Sequence, residues 1–390
     1  MFKNRNLLII SLVAVVNALG YGIIIPILYR YSIQFGLNDF ENGLLFALFS
    51  ICQFISTPII GRLSDKYGRR PLLIVSIAGT ALSFFMMAAA PNAIFLFLAR
   101  ALDGITAGNI PVAMAVISDT TKPEERARGF GLIGASFSFG FIFGPAISAF
   151  TVGISQALPF IIAGIISTIA VILTAVMLPE TNKHMGKGAH GKLFDLKKLW
   201  HTLFDPNVGT TFLISMLFYL AFACAIIFGF QPFTTNVLKI SETHNAILFT
   251  VFGVVGLFSQ MLIVPKFTKK LGLKNAFSIG IFFTSMSFVI MALSTRLPFF
   301  VGASIILGIF NSIVQTLIPT ILSQEVDAKS QGTIMGLNSS YQSIGFIFGP
   351  IIGGLLATIM VTLPFLFGAI LVLGCLVLST QIFNQRTKAN

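Results

Sequence analysis

Twelve long apolar stretches follow one another along the chain, and this pattern limits the fold more than any other feature. The core of a bilayer is about 30 Å thick, so a helix that crosses it needs about 20 mostly apolar residues. The runs are continuous rather than alternating, which excludes a β-barrel. We therefore predict an all-α membrane protein with twelve transmembrane helices. The predicted spans cover residues 6–29, 42–61, 71–90, 93–118, 129–150, 157–178, 209–231, 245–264, 275–294, 298–322, 332–357 and 361–383.

The composition excludes the other large classes of protein. Only 10% of the residues are charged, whereas a soluble protein carries about 25%, so a soluble enzyme and a disordered chain are excluded. A net charge of +12 would ordinarily suggest nucleic acid, but 55% of the chain is hydrophobic, and we expect no nucleic-acid partner. Cys52, Cys224 and Cys375 lie in apolar runs without paired spacing, so we expect no metal and no cofactor.

Lysine and arginine concentrate in alternate loops, which predicts the orientation of the chain. Only Arg30, Lys239 and Arg296 fall in the loops of the opposite side. Because cytoplasmic loops carry the excess of Lys and Arg, both termini are predicted to be cytoplasmic. The compact loops favour a bacterial cell, so we expect a multi-pass protein of the inner (cytoplasmic) membrane.

The two halves of the chain repeat one design. The segment GFIFGP at residues 140–145 recurs at residues 345–350, which favours duplication over chance. We predict an N-terminal six-helix bundle over 1–182, a cytoplasmic linker over 183–208 and a C-terminal six-helix bundle over 209–390. Two pseudo-symmetric bundles are typical of alternating access around a central site. The apolar spacing in the linker favours an interfacial amphipathic helix, with a flexible linker as the alternative.

Three segments carry a resemblance to a known family. GRLSDKYGRR at 61–70 resembles the loop 2–3 signature of the major facilitator superfamily, RALDG at 100–104 resembles its span-four signature, and GFIFGP at 140–145 resembles its span-five antiporter motif. The resemblance covers the whole chain and implies a secondary transporter with the major facilitator fold.

Within the superfamily, the chain most resembles twelve-span drug:proton antiporters of the tetracycline-efflux type. The segments that carry this likeness are NALGYGIIIP at 17–26, RALDGITAGN at 100–109, and Ser118-Asp119 followed by Glu125-Arg126. One departure is that Asn17 stands where tetracycline antiporters carry an acidic residue. Predicted spans three and nine also contain no Asp or Glu, which argues against tetracycline as the substrate and against the same proton route.

One pair of charged residues lies inside a predicted span. Of the 13 Asp and Glu residues, we place Asp103 alone well within a span, three positions after Arg100, so both lie on one face of the helix. A charge in the hydrocarbon region is costly and marks a functional site by default. The hypothesis is that Asp103, together with Arg100, couples transport to protons. The alternative is a self-neutralised pair that only stabilises packing.

The loop between spans two and three is interpreted as a cytoplasmic gate. Gly61 and Gly68 would permit tight turns. Asp65 would accept hydrogen bonds at the start of span eleven, where the helix dipole favours an anion, and Arg69 would pair with Asp119. The alternative is that the cations of this loop only set the topology.

Polar and aromatic residues deep in the spans predict the lining of a substrate cavity. Hydrogen bonds between helices are the alternative role for each of them. Phe-rich walls with few polar groups suit an apolar or amphiphilic ligand. The predicted lining residues are Asn17, Tyr21, Gln53, Asn109, Gln231, Gln260, Asn311, Gln315, Asn338, Tyr341 and Gln342.

Small residues in the repeated motif predict close helix packing. In the first copy, Gly140, Gly144 and Pro145 are expected to contact a neighbouring span, which we take to be span eight. The second copy offers Gly345, Gly349 and Pro350 in the same way.

The sequence motifs do not support an enzyme. The chain has no Gly-rich phosphate loop, and its four histidines lie in loops without metal spacing. We therefore predict a monomeric secondary transporter that exports a small amphiphilic or drug-like compound in exchange for protons, as in multidrug efflux. The alternative is a facilitator or symporter for a nutrient or metabolite.

Overall fold

The computed structural model describes residues 5–121, 123–182, 186, 196–327 and 330–389, and within these ranges the chain is helical. The predicted linker residues 183–185 and 187–195 lie outside the described residues. The helices are α1 (Arg5–Ile24), α2 (Leu28–Ile33), α3 (Asp39–Tyr67), α4 (Arg69–Ala88), α5 (Ala93–Thr106), α6 (Asn109–Thr120), α7 (Pro123–Thr151), α8 (Leu158–Met177), α9 (Leu196–Leu203), α10 (Gly209–Phe222), π1 (Ala223–Gly229), α11 (Phe230–Asn236), α12 (Glu242–Phe258), π2 (Ser259–Ile263), α13 (Val264–Leu293), α14 (Leu297–Gln324), α15 (Gln331–Ile359) and α16 (Leu363–Ala389).

Eleven helical segments among the described residues are long and apolar enough to cross a membrane. The longest, Glu242–Leu293, has 52 residues and would measure about 78 Å as one straight helix, more than twice the thickness of a bilayer core. It contains the predicted spans 245–264 and 275–294. Gly272 breaks it between them, since its φ of 75° is not helical. The prediction of an all-α membrane protein is confirmed.

Two of the predicted spans are interrupted, which corrects the continuous boundaries 6–29 and 93–118. In the first, α1 ends at Ile24, because Pro26 lacks an N–H and disfavours helical geometry in the residue before it. In the fourth, α5 ends at Thr106 and α6 begins at Asn109. Gly108 lies in this second break, where a Cβ atom would overlap the side chain of Ile60.

Two further predicted spans remain helical throughout, but each contains a π-helical segment. Segment π1 ends three residues before Pro232, and π2 ends two residues before Pro265. A proline ring clashes with the carbonyl of the preceding turn, and a π-helical turn is one way for a helix to absorb such a mismatch. Both widened segments therefore have a local cause in the sequence.

The chain forms two compact units. Unit 1 comprises Met1–Leu37, Leu48–Phe194 and Ser241–Thr250. Unit 2 comprises Asn38–Ala47, Asp195–Ile240 and Val251–Asn390. Each unit thus contains most of one half of the sequence, together with the start of one helix from the other half.

The repeated glycine motif packs in the same way within each unit. In unit 1, a Cβ on Gly144 would lie 2.8 Å from the backbone of Gly22 on α1. In unit 2, a Cβ on Gly345 would lie 2.7 Å from the backbone nitrogen of Leu220 on α10, and Gly349 meets the start of π1. The small residues therefore let two backbones approach closely. The expectation that the first motif faces span eight is wrong, since Gly140 and Gly144 pack against span one.

We predict that Gly144→Val lowers the thermal unfolding temperature of the purified protein in detergent. The added side chain would overlap α1, and overpacking of this kind costs about 1–3 kcal/mol. Gly131→Val is the matched control, because Gly131 lies on the same helix with no atom of the described residues within 4 Å of a Cβ atom. Equal unfolding temperatures for the two variants would contradict the packing described.

Candidate functional site

A buried ion pair lies near the middle of unit 1. Arg100 and Asp103 are one helical turn apart on α5, and their side chains are 3% and 8% exposed. The Arg100 Nη1 and Asp103 Oδ2 atoms are 3.4 Å apart, longer than the 2.7–2.9 Å of a strong charge-assisted hydrogen bond. The guanidinium carbon of Arg100 also lies 4.5 Å from the centre of the Phe49 ring. The two opposite charges therefore balance each other, but the hydrogen bond between them is weak.

Polar groups from α4 complete the surroundings of Asp103. Thr80 and Ser83 lie near its carboxyl group and are buried, and Ser83 Oγ donates to the Thr80 carbonyl at 2.8 Å. A hydroxyl can donate to an ionised carboxylate or accept from a protonated one. On the other side of the pair, the buried Nε of Arg100 has no hydrogen-bond partner among the described residues.

The break in span four fixes the position of this pair. A break leaves backbone carbonyls without helical partners, and hydroxyl groups from neighbouring helices fill this need. Ser76 Oγ donates to the Thr106 carbonyl at 2.6 Å, and Ser56 Oγ donates to the Gly104 carbonyl at 2.8 Å. The end of α5 that carries Asp103 is thus held from both α4 and α3.

Four of the predicted site residues gather near this break. Asn17 Nδ2 donates to Asn109 Oδ1 at 3.0 Å, which joins α1 to the first residue of α6. The ring centre of Tyr21 lies 5.9 Å from that of Phe49, the ring under Arg100. Gln53 is half-buried on α3, with its backbone nitrogen beside Gly104. Their role in binding a substrate stays a prediction.

The predicted lining residues of unit 2 are more dispersed. Asn338 accepts a hydrogen bond from Ser215 Oγ at 2.7 Å, and the Tyr341 hydroxyl donates to the Leu199 carbonyl of α9 at 2.6 Å. Both contacts join helices, which is the alternative role considered for these residues. Of the others, Gln231 and Asn311 are buried, Gln315 and Gln342 are half-buried, and Gln260 is exposed.

Arg69 is the first residue of α4 and lies at the centre of a charged cluster next to Gly68, which separates α4 from α3. Its Nη1 lies 2.5 Å from Asp65 Oδ1, and its Nε lies 3.1 Å from Asp119 Oδ2. Gly68 has a φ of 106°, a left-handed conformation that favours glycine. Gly61, however, lies inside α3, so the expectation that it forms a tight turn is wrong.

Glu180 is a member of this cluster that sequence reasoning missed. Its carboxylate accepts hydrogen bonds from the backbone N–H groups of Arg69 at 2.9 Å and Arg70 at 3.1 Å. It also accepts from the N–H groups of Thr181 and Asn182. An anion is favoured at a helix start, where N–H groups are unpaired. Glu180 therefore fixes the start of α4, and with it the backbone of Arg69.

The electrostatic balance at Glu180 favours its charged form. Partial burial raises the pKa of the carboxyl, but the four backbone N–H bonds outweigh this effect, so the pKa lies below its usual value. The sequence contained the signal Pro179-Glu180 at the end of a span. Nothing local linked it to Arg69, because the two residues meet only in the folded chain.

We predict that Glu180→Gln lowers the unfolding temperature at neutral pH. The depressed pKa means that the stabilisation by Glu180 is present above the unfolded-state pKa of about 4.3 and is lost as the pH falls through the folded-state pKa. The difference between the parent protein and the variant should therefore be constant from pH 8 to 6 and shrink in acid. Thermal unfolding in detergent over this pH range measures it, and a difference that grows in acid would contradict the account.

The eleven candidate spans among the described residues and the buried charged pair are features of membrane transporters. The family model described as "Major Facilitator Superfamily" matches residues 10–272 and 211–388. The chain therefore belongs to the major facilitator superfamily, a family of transporters and not of enzymes. Its partners are accordingly a small-molecule substrate and the lipid bilayer.

Relatives and a solved structure agree with this assignment. The chain is 31% identical over 406 residues to the tetracycline resistance protein, class H, of Pasteurella multocida, covering 98% of this chain and 97% of that protein. It is 29% identical to multidrug resistance protein 1 of Bacillus subtilis (strain 168), covering 94% of each. The fold is similar to the crystal structure of the nucleoside transporter NupG, with a TM-score of 0.80, 16% identity and coverage of 97% and 99%.

Proposed function

We propose that this transporter exports small amphiphilic or drug-like compounds in exchange for protons, with Asp103 as the proton-binding group. The observation that carries the proposal is the buried carboxyl of Asp103, which lies 3.4 Å from Arg100 and near the buried residues Thr80 and Ser83. The names of the relatives, tetracycline resistance and multidrug resistance protein, support the class of compound.

Exchange requires that the proton and the compound exclude each other. The ionised carboxylate of Asp103 balances Arg100 and can accept a hydrogen bond or a positive charge from a compound. A proton on the same oxygen removes that capacity and leaves the guanidinium of Arg100 without its counter-charge. Binding of a basic or donor-rich compound therefore expels the proton, and proton binding expels the compound, which is the condition for antiport.

Arg100 also supports the second candidate, a symporter for a nutrient or metabolite. Within the part of the chain that the structure describes, its buried Nε has no hydrogen-bond partner, so an acidic compound could bind there. Such a compound would draw Arg100 away from Asp103 and favour a proton on the carboxyl. The proton and the compound would then travel together, so the two candidates predict proton movements of opposite sign.

We predict that Asp103→Asn abolishes proton-coupled transport, whereas Asp103→Glu retains part of it. Asparagine keeps the shape of the side chain but cannot take up a proton, while glutamate can. The measurement is pH-dye fluorescence in proteoliposomes with an imposed proton gradient, on addition of cationic amphiphilic dyes, tetracycline or a quinolone. Host cells deficient in efflux can first be screened for the compounds against which the protein protects. Unchanged proton-driven transport by Asp103→Asn would refute the assignment.

We propose that the cluster around Arg69 gates the cytoplasmic side. If both termini are cytoplasmic, as the sequence predicts, this cluster is on the cytoplasmic side too. Arg69 holds Asp65 of α3 and Asp119 of α6 together, and Glu180 fixes its backbone. A charge centre shared by α3, α4, α6 and the end of α8 can couple movements of these helices.

We predict that Asp65→Asn reduces the transport rate about tenfold or more, because the partly buried Arg69 loses its nearest carboxylate. Lys66→Gln is the matched control. It removes a neighbouring exposed cation, whose contact is the ring of Tyr67 at 5.0 Å. Initial rates in proteoliposomes, normalised to the amount of folded protein, measure both variants. If the cations of this loop only set the topology, Asp65→Asn should transport normally.

A further inference from the structure

The first turns of α12 belong to unit 1. Residues Ser241–Thr250 are part of this unit, whereas the chain from Val251 onward belongs to unit 2. The contacts that hold Ser241–Thr250 therefore decide whether the start of this helix stays in unit 1. We call the contact residues Pro26, Arg30, Gln156, Glu242 and Asn245 the α12 clasp.

One contact of the clasp is uncharged and buried. Asn245 is 1% exposed, and its Nδ2 donates to the carbonyl oxygen of Pro26 at 2.8 Å. Pro26 lies in the break between α1 and α2, where the backbone leaves helical geometry. The amide of Asn245 thus satisfies a carbonyl of that break, and this bond does not depend on pH.

The second contact of the clasp is charged. Glu242 Oε1 accepts a hydrogen bond from Gln156 Nε2 at 2.7 Å, and the oxygen of Gln156 in turn accepts from Gln34. Arg30 of α2 lies near enough to attract the carboxylate of Glu242. Both charged residues are half-buried, where charges are screened less than on an open surface.

Among the described residues that face this contact, Glu242 is the carboxyl group whose charge can change, and Tyr29 is a further titratable group beside Arg30. Arg30 remains protonated at all relevant pH values, and Gln34 and Gln156 are uncharged. His244 lies on the same turn as Glu242, but its Nδ1 is 2.6 Å from the hydroxyl of Ser241, and its side chain is exposed. A proton on His244 would therefore leave the contacts of Glu242 in place.

We infer that the α12 clasp is a proton-operated latch, in which uptake of a proton by Glu242 loosens the start of α12 from unit 1. A neutral carboxyl is no longer attracted by Arg30, whereas the hydrogen bond from Gln156 and the Asn245–Pro26 bond do not require that charge. The distribution of Lys and Arg predicts that this end of the molecule faces away from the cytoplasm. The latch would then respond to the compartment from which an exporter draws its protons. The inference goes beyond the proposed function and does not depend on the substrate.

The test measures how readily a buried position in the clasp becomes accessible. Ala246 is 0% exposed, so the maleimide labelling rate of Ala246→Cys in the purified full-length protein follows the fraction of open clasp. The rate is measured in detergent from pH 8 to pH 5, after subtraction of labelling at the native cysteines. Glu242→Gln is compared with Glu41→Gln, which removes an exposed carboxylate bonded to the Asn38 N–H instead. The thiol is the same in all variants, so ratios of rates isolate the effect of each carboxylate.

At pH 8, we expect Glu242→Gln to raise the labelling rate about fivefold over the parent, and the ratio should fall towards one as acid protonates Glu242 in the parent. Arg30→Gln should give the same increase, and the double variant should add nothing, which guards against a folding defect in one variant. A ratio that is independent of pH, or equal for Glu242→Gln and Glu41→Gln, would overturn the inference. So would loss of the pH dependence in His244→Gln. Because no transported compound is needed, this assay can succeed where the antiport proposal fails, and the reverse.

Discussion

A helix inside a bilayer has no water to satisfy exposed backbone groups, so each interruption of a span needs a partner from another part of the protein. The structure meets this requirement at both of its breaks. The carbonyl of Pro26 receives the amide of Asn245, and the carbonyls of Gly104 and Thr106 receive the hydroxyls of Ser56 and Ser76. Polar side chains therefore lie at the breaks for a structural reason, and the breaks become the places where chemistry is possible.

The charged pair follows from this arrangement. Burial of Arg100 and Asp103 is costly, and the 3.4 Å separation of their nearest atoms recovers only part of the cost. A strong, short ion pair would hold one protonation state. In the proposed mechanism, the loose pair leaves the proton affinity of Asp103 open to change by a bound compound. This sensitivity is what a proton-coupled transporter requires.

Much of the fold could be predicted because its causes are local. Apolar length identifies a span, the repeat of GFIFGP identifies the second half, and the spacing of Arg100 and Asp103 places them on one face. The neighbours of each helix are not local properties, and there the sequence analysis failed. Gly144 packs on span one rather than span eight, since backbone proximity depends on how the helices assemble. Glu180 was missed for the same reason, because its partner Arg69 is distant in the chain and the bond uses backbone groups that no side-chain pattern reveals.

Proton release on binding of a compound tests the central claim most directly. Purified protein in weakly buffered detergent solution, mixed with a compound against which it protects cells, should release up to one proton per molecule through Asp103, as reported by a pH dye. The Asp103→Asn variant should bind the compound and release none. Release of the same size from Asp103→Asn would contradict the account. Uptake of a proton by the parent protein would also contradict it and would favour the symporter.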